Sequence, residues 1–114
     1  MMRNRLFAAM FLASVECAQA GCPDVFTAKS GLPGHAGDWT TSYDLRAGTF
    51  VSRHVTGNSI SGKFTASCED QTILLQESET TNNNDGRCEL TRVNPHHYRG
   101  TCTPRGFEMR IAGF

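Results

Sequence analysis

Two adjacent histidines lie beside a tyrosine and an arginine in the segment NPHHYR, residues 94–99. A histidine can act as a general acid or base, and His97 with Glu89 and Arg99 could form a small nuclease or hydrolase site. A shared metal ion does not suit regular strand geometry, because consecutive residues such as His96 and His97 point to opposite faces. We therefore predict that the segment is a turn between two strands, and we assign no catalytic residue and no metal ligand.

A second group of residues with chemical potential is acidic. Glu77 and Glu79 precede the asparagine-rich segment 82–86 (NNNDG), and oxygen ligands at this density could hold a calcium ion. The spacing does not match an EF-hand loop, because Thr81 and Arg92 occupy its first and last ligand positions. We predict a solvated hairpin loop here, with no metal and no cofactor.

Four cysteines, Cys22, Cys68, Cys88 and Cys102, remain when the N-terminal 20 residues are set aside. An even number of cysteines in a short exported chain predicts two disulfides, which allow three pairings. No Cys-x-x-Cys or Cys-x-x-His spacing is present, so a structural zinc site is not expected. A Gly-x-Ser-x-Gly motif is also absent, and paired cysteines cannot act as nucleophiles.

Residues 1–20 have the order of a secretory signal peptide. Two arginines are followed by a mainly apolar run of ten residues, 6–15, and then by Ala18-Gln19-Ala20, a small-x-small cleavage site. An apolar run of that length cannot span a bilayer, which needs about 20 residues. We predict a secreted or periplasmic protein that starts near Gly21, with lipid attachment at Cys22 as the alternative.

The 94 residues that follow carry little net charge. Residues 1–20 hold two arginines and one glutamate, so nine basic and ten acidic residues remain, a net charge of −1. Nucleic acids and anionic lipids are bound by clustered basic faces, which this composition does not predict. A chain of this length forms one domain, with a core small enough for disulfides to matter.

The larger part of the chain has the composition of an all-β domain, rich in β-branched and aromatic residues and regularly interrupted by turn signals. About seven short antiparallel strands are predicted, including strands near Trp39–Leu45 and Thr72–Glu77. Residues 21–37, rich in glycine and proline, are predicted as an irregular arm held by Cys22. The β domain, residues 38–114, should close as a barrel or pack as a two-sheet sandwich, and short connections favour the barrel.

The register of the first hairpin can be predicted from its turn residues and its apolar pattern. Gly57-Asn58 suits a two-residue turn. This turn would place Val51 opposite Phe64 on the buried face and would turn Phe50 to the other face. The turn chemistry and the apolar pattern agree on this register.

Two further hairpins share one strand. The turn Thr103–Gly106 has proline and glycine at favourable positions and sets the register of the last hairpin. A five-residue loop, Val93–His97, would place Cys88 directly opposite Cys102, within disulfide reach. We therefore predict the disulfide Cys88–Cys102, which leaves Cys22 to pair with Cys68.

The motif Gly37-Asp38-Trp39 resembles the calycin-type barrels, such as lipocalins and avidins, whose first strand commonly opens with Gly-x-Trp. In lipocalins a basic residue of the last strand packs across that tryptophan. Arg110 is the matching residue here, although the predicted register turns it away from the core. The resemblance implies a cup for a small apolar molecule, and Trp39, Tyr43 and Tyr98 are its candidate lining residues. Trp39 could instead be the main core aromatic residue.

These observations favour a secreted, non-catalytic binding module for a protein or a small molecule, and an enzyme inhibitor is one form that it could take. One alternative is a small secreted hydrolase or nuclease that uses His96 and His97. Another is a calycin-like carrier of a small apolar ligand. No nucleic acid, no membrane span and no cofactor is expected.

The signal-peptide prediction can be tested on the exported protein. Mass spectrometry should show an N-terminus near Gly21, because cleavage is expected after Ala20. A chain that starts at Cys22 and carries added acyl mass would contradict this prediction and would indicate a lipoprotein.

Overall fold

Eight strands follow one another in the computed structural model, which describes residues 21–112, and each strand pairs with the next in antiparallel orientation. The last strand also pairs with the first, so the sheet closes into a barrel. The strands are β1 Val25–Gly31, β2 Trp39–Asp44, β3 Thr49–His54, β4 Ser59–Cys68, β5 Thr72–Ser78, β6 Gly86–Asn94, β7 His97–Thr103 and β8 Phe107–Ala112. The predicted all-β barrel is confirmed, with one strand more than expected. In the part of the chain described, no helix has the length and apolarity that crossing a membrane requires; the predicted signal peptide lies outside that part.

The additional strand is β1, in the segment predicted as an irregular arm. Phe26, Ala28 and Ser30 are buried inside the barrel, and the residues between them are exposed. β1 pairs with both β2 and β8, so it completes the closure. The prediction of an irregular arm over residues 21–37 was wrong. Glycines and prolines on both sides of the strand favoured a loop. Two of the inward residues of β1 are small, which weakens its alternating apolar pattern. The β domain therefore begins with this strand and not at residue 38.

One half of the barrel interior is filled by a packed aromatic and aliphatic core. Tyr43 is fully buried between Phe26 and Phe64, whose ring centroids lie 5.0 and 4.8 Å from its own. Burying an aliphatic side chain contributes about 1.5–3 kcal/mol, so this half supplies much of the stability. The aliphatic members that complete it are Ile73, Leu75, Leu90 and Ile111.

The hairpins on both sides of β7 have the predicted strand registers. Cys88 lies opposite Cys102, with 4.0 Å between the two Cα atoms, and the two residues form a disulfide. Such close Cα atoms are typical of a non-hydrogen-bonded antiparallel pair. Cys22 and Cys68 form the second disulfide. Both predicted disulfides are confirmed, and such bonds fit a periplasmic or extracellular location.

The register of β3 with β4 differs from the predicted one. Phe50 lies opposite Gly62, so Phe50 is buried inside the barrel and Val51 is exposed. The prediction had placed Val51 inside, opposite Phe64. It assumed a two-residue turn at Gly57-Asn58, whereas residues 54–58 together connect the paired ends of the two strands. Because apolar residues occur on both faces of β3, the apolar pattern could not decide which face is buried.

Gly100 allows β6 and β7 to approach each other closely, since a Cβ atom at this position would collide with the main chain of Glu89 and Leu90. We expect Gly100→Ala to lower the free energy of unfolding by about 1–3 kcal/mol, the range for overpacked sites. Chemical denaturation measures the change. Gly37→Ala is the control, because its Cβ atom would make an ordinary contact, 3.5 Å from the Arg110 guanidinium. Equal stability of the two variants would show that the close approach at β7 is unimportant.

Candidate ligand-binding cup

The barrel interior is not filled at one end. A cavity of about 80 Å³ opens there, and we call it the cup. One water molecule needs roughly 10–15 Å³ of such space, so the cup has room for several waters or for a small organic group. Its apolar wall residues are Trp39, Phe50, Ile60, Phe107, Met109 and the disulfide pair Cys88 and Cys102. Its inner polar residues are Ser30, Thr41, Ser52 and Glu77, and its rim is formed by residues 80, 82, 84–86 and 103–105.

Small inward-facing side chains create this space. Ser30, Thr41 and Ser52 face the interior from β1, β2 and β3, at the end of the barrel opposite the aromatic core. The hydroxyl oxygens of Thr41 and Ser52 lie 2.8 Å apart and share a buried hydrogen bond. The shared bond gives each of these two buried hydroxyls a hydrogen-bond partner within the wall. An eight-stranded barrel is only just wide enough for one small ligand, and the small residues provide the room for it.

Glu77 supplies a carboxylate to the cup. It follows Ile73 and Leu75 on the inward face of β5, and its Oε2 accepts a 2.7 Å hydrogen bond from the Tyr43 hydroxyl. Burial raises the pKa of Glu77, the Tyr43 hydrogen bond opposes this, and the charge of Asp85 raises the pKa further. Burial and the charge of Glu77 also raise the pKa of Tyr43 well above its ordinary value. The base of the cup therefore holds a neutral phenol bonded to a partly desolvated carboxyl group.

Glu77 and Glu79, which precede the predicted solvated hairpin loop, are separated by the end of β5. Glu77 faces the cup, whereas Glu79 lies beyond Ser78, the last residue of the strand, and has a φ of 52°. The carboxylate of Glu79 is exposed and lies 3.5 Å from Lys63 Nζ. The inward position of Glu77 was not predicted. Its alternation with two buried aliphatic residues of β5 was visible in the sequence and could have identified its inward position.

The asparagine-rich loop forms part of the rim. Asp85 Oδ1 accepts hydrogen bonds from the main-chain N–H and the hydroxyl of Thr80, at 3.3 and 3.1 Å, and the Thr80 hydroxyl oxygen accepts one from the Asn84 N–H at 2.8 Å. Gly62 lets the end of β5 and the start of this loop approach β4, because a Cβ atom there would lie 2.8 Å from the Ser78 carbonyl oxygen and 3.1 Å from the Thr80 Cα atom. The Asp85 carboxylate therefore holds the loop in a fixed shape at the edge of the cup.

Trp39 lies at the mouth of the cup and not in the core. Its side chain is partly exposed, and its ring packs edge-to-face against His54 with 4.8 Å between centroids. The interpretation of Trp39 as the main core aromatic is therefore wrong, and Tyr43 has that role. The Gly-x-Trp motif opens the second strand and not the first. Arg110 is exposed on the outer surface near Gly37, which differs from the lipocalin arrangement.

The other two candidate cup residues occupy different places. The ring of Tyr43 is buried in the core, and only its hydroxyl reaches the cup, through Glu77. Tyr98 lies toward the other end of the barrel, where its hydroxyl donates a 3.0 Å hydrogen bond to the Asp70 carbonyl oxygen. It is therefore not a cup residue, because the cup is bordered by Cys102, four positions further along β7.

The histidine pair lies at a tight connection between β6 and β7. Asn94 pairs with His97 after a bulge, so Pro95 and His96 form a shorter turn than the predicted five-residue loop. The Asn94 side-chain oxygen accepts a hydrogen bond from the His96 main-chain N–H at 3.2 Å and lies 2.7 Å from His97 Nδ1. Asn94 thus stabilises the turn through its side chain.

The acid–base group considered as an alternative, His97 with Glu89 and Arg99, is not assembled into one site. Glu89 is exposed on the outer surface, where its carboxylate forms a 2.8 Å ion pair with Arg87. His97 and Arg99 border a surface groove on the outside of the barrel that Glu89 does not reach. Within residues 21–112, no hydrogen bond or ion pair joins Glu89 to either residue, and these residues include no group of three metal-ligating side chains.

Comparison with known proteins supports the fold. No protein family and no curated protein sequence matches this chain. A solved structure that does match is a redesigned beta barrel, mFAP1, bound to DFHBI. The match covers 84% of this chain and 98% of mFAP1, with 14% sequence identity and a TM-score of 0.50. At this level of identity the likeness shows a shared small β-barrel fold and no more.

Replacing Glu77 with glutamine tests the effect of burying its carboxyl group. Because the folded-state pKa of Glu77 is raised, the folded protein binds this proton more tightly than the unfolded chain does. Stability therefore falls as pH rises through the interval between the ordinary and the raised pKa. Glutamine still offers an oxygen to the Tyr43 hydroxyl but carries no charge. We expect Glu77→Gln to be more stable than wild type at neutral pH, with the difference shrinking below the ordinary glutamate pKa.

Denaturant unfolding at several pH values between about 3.5 and 8 measures this difference. Tyr43 and Asp85, which face Glu77, are unchanged in the variant. Glu89→Gln is the matched control, because it removes the same charge from an exposed position. The difference in free energy of unfolding between Glu89→Gln and wild type should not grow with pH. A Glu77→Gln difference that is constant with pH would contradict the expected desolvation.

Proposed function

We propose that this protein is a secreted or periplasmic, non-catalytic module that binds one small, mainly apolar molecule in the cup. The observation that carries the proposal is the composition of the cup. Aromatic and aliphatic walls, including Trp39, Phe50 and Phe107, surround a few polar groups, as is typical of small-ligand sites. The similarity to mFAP1 supports the proposal, because a barrel of related fold is bound to a small molecule, DFHBI.

The size of the cup limits the size of the ligand. Its volume of about 80 Å³ is well below the roughly 300 Å³ at which pockets for drug-sized molecules begin. A single ring or a short chain therefore suits it. The hydroxyls of Thr41 and Ser52 and the carboxyl group of Glu77 are the groups that would orient such a molecule.

Binding in the cup is favoured over catalysis by the histidine group. His97, Glu89 and Arg99 are exposed on the outer surface, without a shared hydrogen bond. The exported location is supported by the two disulfides and by the signal-peptide pattern of residues 1–20.

Trp39 provides a direct test, because it is the single tryptophan of the chain and lies in the cup wall. A panel of one-ring and short-chain compounds should include at least one that changes its fluorescence saturably. The same compound should raise the unfolding temperature, since a ligand that binds only the folded state stabilises that state. The absence of both effects across a broad panel would contradict the proposed function.

Two phenylalanine variants show whether a compound binds inside the barrel. Ile60→Phe adds a larger side chain to the cup wall, and we expect it to abolish the fluorescence response. Val51→Phe adds a similar ring on the exposed face of β3 and should leave the response unchanged. Thermal unfolding without ligand checks that both variants fold. A response that survives in Ile60→Phe would place the ligand elsewhere on the protein.

A further inference from the structure

The cup contains a carboxyl group that has no basic partner among the described residues. Glu77 Oε2 accepts a hydrogen bond from Tyr43, and within residues 21–112 no Lys, Arg or His nitrogen lies within 4.0 Å of the carboxylate. An ionised carboxylate can accept about four hydrogen bonds, so most of the acceptor capacity of Glu77 is available to a bound group. Asp85 adds a second carboxylate to the cup lining.

This arrangement has a cost for the folded protein. Partial burial removes water from Glu77, and the resulting rise in its pKa exceeds the opposing effect of the Tyr43 hydrogen bond. A glutamine could accept the same hydrogen bond without a charge to desolvate. A cation bound in the cup would compensate the negative charge of the Glu77 carboxylate. No basic side chain among the described residues does so.

The aromatic walls of the cup also suit a cation. Trp39, Phe50 and Phe107 line it, and the faces of such rings attract cations within about 6 Å of their centroids. Phe107 already makes one such contact, because the guanidinium carbon of Arg105 lies 5.5 Å from its ring centroid at the rim. Arg105 is the one basic side chain among the described cup residues, against two carboxylates.

We propose that the cup recognises a small organic cation, in which an ammonium group is attached to a short apolar or aromatic body. The ammonium group donates charge-assisted hydrogen bonds to the Glu77 carboxylate beside the Tyr43 hydroxyl. The body packs against Trp39 and the other apolar walls. This inference rests on the proposed function and adds to it the chemical class of the ligand.

Three compounds with one benzene ring and different charge test the inference. Benzylamine is a cation at neutral pH, benzyl alcohol is neutral, and phenylacetate is an anion. Isothermal titration calorimetry at about pH 7.5 should show that benzylamine binds about tenfold more tightly than benzyl alcohol, the factor expected for one charged hydrogen bond. Phenylacetate should bind most weakly, because Glu77 and Asp85 repel it.

The variant Glu77→Gln should bind benzylamine and benzyl alcohol with similar affinity, since the ring still packs in the cup but the charge is gone. Glu89→Gln, which removes the same charge from the outer surface, should keep the wild-type preference. Both variants are first checked for cooperative unfolding.

The outcomes separate this inference from the proposed function. Equal wild-type affinity for benzylamine and benzyl alcohol, tighter binding of phenylacetate, or an unchanged preference in Glu77→Gln would overturn the assignment of a cationic ligand. Each of these results would leave a small-molecule cup intact. If no compound of any charge bound in this trio or in the broader fluorescence panel, the proposed function itself would fail, and the inference with it.

Discussion

The closure of eight strands into one barrel limits every other feature of this protein. Strand number sets the width of the interior, and in an eight-stranded barrel side chains nearly fill it. Any remaining space therefore depends on the size of the side chains that each strand turns inward. Here aromatic and aliphatic residues fill one half, whereas Ser30, Thr41 and Ser52 leave the other half open. The cup is thus a consequence of small residues at particular inward positions.

The two halves of the barrel interior differ in how completely side chains fill them. The filled half contains the Tyr43 aromatic cluster and the disulfide from Cys22 to Cys68, which holds the start of the described chain to the end of β4. The cup half has fewer buried apolar groups, and the disulfide Cys88–Cys102 forms part of its wall. A disulfide of this kind contributes about 3 kcal/mol in the chain-entropy model, which helps a small domain to keep a partly unfilled interior.

The hydrogen bond between Tyr43 and Glu77 marks the boundary between these halves. The ring of Tyr43 belongs to the core, and its hydroxyl reaches the carboxyl group at the base of the cup. Rigid core packing therefore fixes the position of the phenol, and the phenol in turn orients Glu77. Trp39 at the mouth and the Asp85-stabilised loop at the rim complete a site whose base is rigid and whose edge is open. Such support from packed elements is what a specific binding site requires.

Local patterns were sufficient for the fold class, for the hairpins around β7 and for both disulfides. Alternation and turn residues act over a few positions, so the pairing of Cys88 with Cys102 could be predicted from them. The Gly-x-Trp resemblance pointed to a cup lined by Trp39, but the other residues of the cup could not be predicted from local patterns. Glu77 belongs to the cup because closure of the barrel brings the inward face of β5 to Tyr43 of β2, 34 residues away in the chain, although these two strands are not paired. A local pattern shows which side chains share a face of a strand, but only the register and the closure of the whole sheet decide which of these faces meet.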